Sequence, residues 1–327
     1  MKKILVIGGS GYIGAVVIKE LLKKKFKIIS IDNYLYDNQD ILSDIRNNKN
    51  FKSFKIDFSN SKKILDFFNQ GYKNVIFLAA LVGDPISKKY PVLTNDIMNN
   101  KTKKFINLCK KEKIDNFFYA STCSNYGLNK SNKLLNENSK LKPLSLYSKN
   151  KVLIEKYLLS MKNLNFTILR FSTAFGLSDR MRFDLTINEF VKIVFFNKTL
   201  LVYDADTYRP YLHTKDFARL FFILLSTKKK ISRKIYNVGG NSNNFSKKAI
   251  VKKINNFLNI KKITFKEKGN DSRNYKVNFN KIRRELNFKP KFSVSYGIRE
   301  IIDFLKKTKG SYAKFSKMGN YKIKDGI

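Results

Sequence analysis

Tyr147 and Lys151 stand four residues apart where the chain reads as the start of a helix, so both face the same side of it. A lysine ammonium beside a tyrosine hydroxyl favours the phenolate and lowers its pKa from about 10. Such a pair can take up or give a proton near neutral pH. Thr122 precedes Tyr147 by 25 residues, just past a strand-like run that ends at Ala120. That places a hydroxyl at the carboxyl edge of a sheet, where ligands bind in open α/β folds. Thr122 can bond the same oxygen that Tyr147 deprotonates. Lysine and tyrosine are common in this chain, so the four-residue spacing carries meaning only through its place after a strand end.

A second group of residues lies at the amino terminus. Gly8, Gly11 and Gly14 form G-x-x-G-x-x-G between an apolar run and an amphipathic stretch. Gly8 permits a tight turn, Gly11 lets the backbone approach a pyrophosphate, and Gly14 lets the helix pack close to the strand. Tyr12 and Ile13 open that helix, whose unpaired N–H groups face the phosphates. Asp32 ends the second strand, eighteen residues after Gly14. A carboxylate there accepts from both adenosine ribose hydroxyls and repels a 2′-phosphate, and Asn33 brings no positive charge to offset this. NAD is therefore expected over NADP. Asp57 and Phe58 follow the third strand, where the carboxylate either holds the adenine amino group or caps the strand end. Leu78, Ala79 and Ala80 end the fourth, and their small side chains let the backbone lie against the cofactor. Lys151 can then hold the nicotinamide ribose.

These residues need a frame. Short runs rich in Ile, Val and Phe at Lys3–Ile7, Lys27–Ile31, Ser53–Ile56, Asn74–Leu78, Asn116–Ala120 and Asn165–Arg170 read as strands buried on both faces. Tyr12–Lys25, Ile97–Lys113 and Ser148–Met161 carry helical apolar spacing. The alternation predicts an α/β chain: a Rossmann doubly wound parallel sheet. After about Gly176 the rhythm loosens. Helices are expected at Asp184–Phe196, Thr214–Ser226, Ser246–Leu258, Asn280–Asn287 and Ser295–Lys307, with strands near Leu200–Tyr203 and Lys234–Val238. The expected division is a cofactor domain over 1–175 and a smaller mixed α/β substrate region over 176–308, with some segments returning to the first. A tail over 309–327 lacks apolar period and is expected to be loosely ordered.

Composition excludes several classes. No apolar run approaches the roughly 18 residues a membrane helix requires. Two cysteines and one histidine in 327 residues exclude a disulfide framework and a His- or Cys-rich metal centre, so no metal is expected. The four apolar residues after Met1-Lys2-Lys3 are too few for a signal peptide, which points to a cytoplasmic protein. The net charge of +41 suggests nucleic acid at first sight. Only eleven of the 66 basic residues are arginine, however, and lysine is scattered over the whole sequence. We read this as compositional bias that favours anionic ligands, with no specific nucleic-acid partner.

With these motifs in order, the chain from Met1 to about Leu305 resembles the extended short-chain dehydrogenase/reductases, specifically the NAD-dependent sugar-nucleotide epimerase/dehydratase family, and in pattern the UDP-glucose 4-epimerases. A departure is Ile7, where the family has threonine. The resemblance implies that Thr122, Tyr147 and Lys151 are catalytic and that Thr122 also touches substrate. It implies substrate contacts at Arg182, Asn188, Arg209 and Arg273, with Arg209-Pro210-Tyr211 and Asp271-Ser272-Arg273 matching family segments. Arginine forks suit a nucleotide diphosphate. His213 reads as structural. The family's dehydratases place Asp-Glu after the threonine, whereas Cys123 and Ser124 follow here. The resemblance thus implies epimerisation through transient oxidation at carbon 4 of a nucleotide-diphosphate sugar. The alternative is a 4-dehydrogenase or 4-keto reductase. Leu81–Pro85 and Arg180–Asp184 look similar to enzymes that oxidise carbon 4 of GDP-heptoses. A 4,6-dehydratase is the weaker option, and a non-enzymatic NAD-sensing or RNA-associated protein is the rival from another class. The resemblance further implies cell-envelope polysaccharide synthesis and a homodimer built on the helices Ile97–Lys113 and Ser148–Met161.

Overall fold

The computed structural model of the chain describes residues 2–129, 133–267, 269 and 273–324. Asp271 and Ser272 lie outside them. Six strands come from the apolar runs: β1 (Lys3–Ile7), β2 (Lys27–Asp32), β3 (Phe51–Lys55), β4 (Asn74–Phe77), β5 (Asn116–Thr122) and β6 (Phe166–Phe171). Beyond them lie β7 (Thr173–Phe175), β8 (Leu200–Tyr203), β9 (Tyr208–His213), β10 (Lys234–Val238), β11 (Asn244–Ser246) and β12 (Ile263–Lys266). The main sheet has seven strands in the order β10-β6-β5-β4-β1-β2-β3, all parallel. The doubly wound arrangement expected from the sequence is therefore present, and β10 returns to it from the second half of the chain.

Alternate residues of each central strand enter two different cores. Ile4 and Val6 pack with the helices Tyr12–Lys23 and Thr214–Ser226. Leu5 and Ile7 pack with Ser61–Asn69, Thr102–Lys111 and Leu146–Ser160 on the other face. Burial on both faces explains why these strands are continuous apolar runs. Strand order reverses between β1 and β4, which makes the crevice at their carboxyl ends the natural ligand site. The glycine loop and Ala79-Ala80 flank that crevice. A third core, around Phe175, Phe183, Ile298 and Phe315, joins the helices Thr186–Phe195, Lys247–Asn255 and Val294–Thr308. Beside it lie a three-stranded sheet β11-β9-β7 and the pair β12-β8.

Two differences from expectation stand out. The helix expected over Ile97–Lys113 begins earlier: Pro91–Asn95, a π-helical turn over Asp96–Lys101 and Thr102–Lys111 run on as one. The Thr102 hydroxyl donates to the Ile97 carbonyl at 2.8 Å inside the widened turn. Over its described residues, 309–324, the tail is not loosely ordered. Tyr312–Ser316 is helical with Phe315 buried in the third core, and Ile323 enters the core that holds Leu35 and Leu81. Single anchors set far apart leave no period to read.

Candidate active site

The glycine loop is built as its spacing demands. Gly8 has φ +85°, and a Cβ there would lie 2.7 Å from the Ala79 backbone nitrogen. A Cβ on Gly14 would lie 2.6 Å from the Gly9 carbonyl and closer still to that of Gly8, so the helix presses on the loop. Gly11, the N-cap of helix Tyr12–Lys23, has no side chain to cap it. A Cβ on Gly11 would meet only the Gly8 carbonyl, at 3.2 Å, leaving the first N–H groups open to an anion. Asp32 accepts from the Ser10 amide at 3.1 Å and the Tyr34 amide at 2.9 Å. Burial raises its pKa, with those amides and Arg180 acting against the shift. The open cradle, the carboxylate and the half-exposed Leu78, Ala79 and Ala80 beside it fit a dinucleotide.

Other expected cofactor residues are more committed. Tyr12 sends its hydroxyl to the Gly176 carbonyl at 2.6 Å. Ile13 packs partly against the first core. The Asn33 amide oxygen accepts from Leu35 N at 3.3 Å. Asp57 accepts from the Ser59 amide and hydroxyl and from Lys101 at 2.8 Å. Burial would raise its pKa, but these partners outweigh it and hold the carboxyl low. Asp57 thus caps the strand end whether or not it also meets adenine. The Phe58 ring lies edge-on to Phe77 and Phe105 in the core, so only its backbone is available to a ligand.

Thr122 is the last residue of β5, and Tyr147 is the second residue of helix Leu146–Ser160, which a Ser145–Ser148 capping box starts. The Thr122 hydroxyl accepts from the Ser124 amide at 3.1 Å and lies close enough to Tyr147 to lower its phenol pKa. Lys151, one turn on, is 2% exposed and donates to the Ala120 carbonyl at 2.6 Å. Its ammonium lies 5.8 Å from the centre of the Tyr147 ring. The geometry of the set agrees with its spacing, but the electrostatics do not. Burial raises the Tyr147 phenol pKa, Asp84 adds to this, and Arg182, Arg273 and Thr122 pull it back. Burial likewise pushes the Lys151 ammonium down to about 7, against the pull of Glu155. The expected lowering of the phenol by lysine is therefore overridden by desolvation.

Glu155, another turn along the same face, was missed, although its four-residue step from Lys151 was readable. It makes a bidentate ion pair with Arg170, with Nη2–Oε2 at 2.7 Å, and accepts from Asn125 at 2.9 Å and from the Ser121 hydroxyl. This pair clamps the end of β5 to the helix that carries Tyr147. Cys123 is fully buried with its thiol pKa raised by burial, and it faces the Arg170 carbonyl.

The substrate side converges on the same place. Arg273 bonds Ser124 Oγ at 3.1 Å and Asp84 Oδ2 at 3.1 Å. Arg209 lies with its guanidinium 5.1 Å from the Tyr275 ring centre, and the Tyr275 hydroxyl is 3.4 Å from Ser124 Oγ. Arg209 and Arg273 thus flank one aromatic ring beside Thr122. Arg182 is paired with Asp184 at 2.6 and 3.0 Å. Asn188 is fully buried, donating to the Tyr12 hydroxyl and the Arg182 carbonyl while accepting from the Gly176 amide. Its amide positions neighbours rather than reaching into the crevice. His213 bonds Glu300 at 3.0 Å in a buried site, which matches its structural reading. Among the described residues no cluster of His, Cys, Asp or Glu is arranged to hold a metal.

The chain is similar in sequence and fold to known proteins. A UDP-glucuronate 4-epimerase from Thermodesulfobacterium geofontis is 25% identical over 92% of this chain and 95% of its own. An uncharacterised UDP-glucose epimerase of Bacillus subtilis is 30% identical over 73% and 77%. The crystal structure of the Thermotoga maritima UDP-glucose 4-epimerase with UDP-glucose superposes with a TM-score of 0.83 at 20% identity, covering 94% of this chain and all of that one. A dTDP-glucose 4,6-dehydratase of Bacillus anthracis with NAD gives 0.82 at 24%, covering 94% and 98%. The model of the NAD dependent epimerase/dehydratase family matches residues 4–239, the span that carries the glycine cradle, Asp32, Thr122, Tyr147 and Lys151. The chain belongs to that family.

Proposed function

We propose that the protein is an NAD-dependent epimerase that inverts carbon 4 of a nucleotide-diphosphate sugar. The observation that carries this reading is the convergence of Tyr147, one turn before buried Lys151, on the β5 end at Thr122, with a buried thiol and a serine, not carboxylates, directly after Thr122. Gly8, Gly11, Gly14 and Asp32 would hold NAD, which when bound accepts hydride from carbon 4 and returns it. Tyr147 takes the proton of the carbon 4 hydroxyl and later restores it. Thr122 orients that oxygen, and Lys151 fixes the helix face and the ribose. Arg209 and Arg273 grip the diphosphate. In this reading residues 1–175 hold the cofactor and 176–308 mainly the sugar nucleotide.

A second reading, 4-oxidation or 4-keto reduction without inversion, draws support from one contact. Leu81–Pro85 and Arg180–Asp184, the two segments behind it, touch through Arg182 and the Val82 carbonyl at 3.4 Å. Denaturing the purified protein and identifying the released compounds separates the two. Near-stoichiometric NAD supports a closed redox cycle, whereas exchangeable NAD with NADH formation on sugar addition supports the second reading. Tyr147→Phe should cut turnover at least ~100-fold, and wild-type rates in this variant would refute the mechanism.

We place the protein in the cytoplasm, in cell-envelope polysaccharide synthesis, as a homodimer. No described helix is long and apolar enough to cross a membrane. Val92, Leu153 and Leu159 are exposed on the helices proposed to pair, 82%, 46% and 43% respectively, which suits a partner copy. Light scattering after size exclusion should give twice 38.1 kDa. Gel retardation at physiological salt should show no specific nucleic-acid complex.

A further inference from the structure

Asp84 is a carboxylate to which the mechanism gives no role. It opens the short helix Asp84–Lys89, after Gly83 at φ +123° and before Pro85. Its backbone is held firmly. Ser87 Oγ donates to its carbonyl at 3.0 Å. The preceding Val82 carbonyl accepts from Asn320 at 2.7 Å and from Arg182 at 3.4 Å. One carboxylate oxygen, Oδ2, lies 3.1 Å from Arg273 Nη2. The other, Oδ1, is buried without a hydrogen-bond partner in the protein. A buried acceptor left unpaired is costly, and a hydroxyl brought by a ligand supplies the missing donor. Asp84 also lies close enough to Tyr147 to act on its phenol.

The charges around Tyr147 add a second line of argument. Arg182 comes with its own carboxylate, Asp184, and Arg273 with Asp84. Each guanidinium beside the reacting oxygen is thus matched by an anion of the protein. An additional carboxylate on the sugar would meet Asp84 with no unmatched cation of this pair of arginines to balance it, and like charges close together are disfavoured.

We propose that Asp84 sets sugar specificity: its carboxylate accepts a hydrogen bond from the carbon 6 hydroxyl, on the carbon 4 side of the ring, and turns away sugars that carry a carboxylate at carbon 6. The substrate class is then a nucleotide-linked neutral hexose rather than a hexuronate. This rests on the epimerase reading above. Asp84 binds and selects; the proton transfer stays with Tyr147.

The test uses the NAD-loaded full chain and matched pairs of sugar nucleotides, UDP-glucose against UDP-glucuronate first, then the same pair on other bases. Formation of the 4-epimer is followed by chromatography and mass spectrometry for wild type and Asp84→Asn, with thermal unfolding and NAD content as controls. The expected result is a kcat/KM for the neutral sugar at least tenfold above that for the uronate, and a ratio that shrinks at least tenfold in Asp84→Asn. A wild-type preference for the uronate overturns the proposal while leaving the epimerase reading intact, and needs no variant to be read. An unchanged ratio in a folded Asp84→Asn does the same. Release of water to a 4-keto-6-deoxy sugar, lost in Asp84→Asn, would overturn both, with Asp84 acting as the acid. If no pair is turned over on any base with NAD bound, the epimerase reading falls and this inference with it.

Discussion

Replacing two glycines of the same loop by alanine should separate its fold from its function. At Gly14 the added methyl meets backbone, 2.6 Å from the Gly9 carbonyl oxygen and 2.7 Å from Gly9 Cα, whereas ordinary contact begins at 3.4 Å. The Gly8 carbonyl is closer still, so the helix start must back away by at least roughly 0.8 Å, and no partner is a side chain that can swing aside. Overpacking of this kind costs about 1–3 kcal/mol, from which the gain of alanine over glycine inside a helix removes about 1. A net loss of up to roughly 2 kcal/mol lowers Tm by up to about 3 °C at this chain length. The displaced N–H groups also lose their aim at an anion. At Gly11 the methyl meets only the Gly8 carbonyl, at 3.2 Å, and φ is −78°. Gly11→Ala should keep its Tm within about 2 °C, since alanine is only a poorer cap. Its methyl stands at the uncapped helix start, where the pyrophosphate must approach. Losing one or two charge-assisted hydrogen bonds of about 1.5–3 kcal/mol weakens NAD roughly 10- to 100-fold or more. Circular dichroism melts and calorimetric titration with NAD measure the two effects separately. If Gly11→Ala binds NAD as wild type does, the placement of the dinucleotide on this loop is wrong, and if Gly14→Ala melts higher than wild type, the steric account of Gly14 is wrong.

Glu300 offers a test of stability against pH. Burial opposes its charge, but His213, Lys215 and the Leu177 amide hold the carboxyl at about 2, below its ordinary 4.5. Its stabilisation, roughly 3 kcal/mol at most, is fully present above pH ~4.5 and lost as pH falls through ~2, so Glu300→Gln should melt lower at pH 7 and converge on wild type in acid. Removing residues 311–324 deletes Phe315 and Ile323 from two cores and the Asn320 bond to Val82; Tm should fall and NAD should leave faster, whereas an unchanged NAD off-rate would show the tail to be a passive appendage. For Tyr147, Asp84 raises the phenol and Arg182 and Arg273 lower it, so the inflection of turnover assigned to the phenol should move to lower pH in Asp84→Asn, and a move to higher pH would show that Tyr147 is not the group observed.

Much of this architecture was readable because burial writes directly into sequence. Strands covered on both faces are largely apolar, as in β1, and β8, exposed on one face, and β10 also fall where their runs predict. The glycine loop was readable because Gly8 and Gly14 exclude a side chain for separate steric reasons and Gly11 keeps the helix start open to an anion. What stayed hidden depends on neighbours distant in sequence. The helix Asp84–Lys89 is too short to show a period. The π-helical turn depends on one extra residue per turn, which shifts the apolar stripe of Pro91–Lys111 in mid-helix. The tail is held by two apolar anchors and by hydrogen bonds to Val82 and Leu35, and no spacing within fifteen residues announces those partners. Asn188 shows a different limit. Its residue type suits a ligand contact, and only the bonds that its amide already makes reveal it as a brace.

The same burial that made the strands readable shifts the phenol in the direction opposite to the one the spacing suggests. Tyrosine four residues before lysine suggests a phenol lowered by an ammonium, yet that inference assumes the lysine keeps its charge and points it at the phenol. Here the Lys151 ammonium is drawn to the Ala120 carbonyl and lies over the Tyr119 ring at 4.8 Å. One desolvated pocket thus raises the tyrosine and lowers the lysine together, since both shifts disfavour the charged form. The counterweight comes from Arg182 and Arg273, which belong to the substrate side of the chain, and each of them is tied to a carboxylate. A substrate diphosphate that draws Arg273 away from Asp84 would therefore change the field at Tyr147 as it binds. Proton transfer and substrate recognition share one set of charges in this protein, so substitutions at Arg273 should alter the pH dependence of turnover as well as affinity. A variant that weakened binding alone would show the two to be independent.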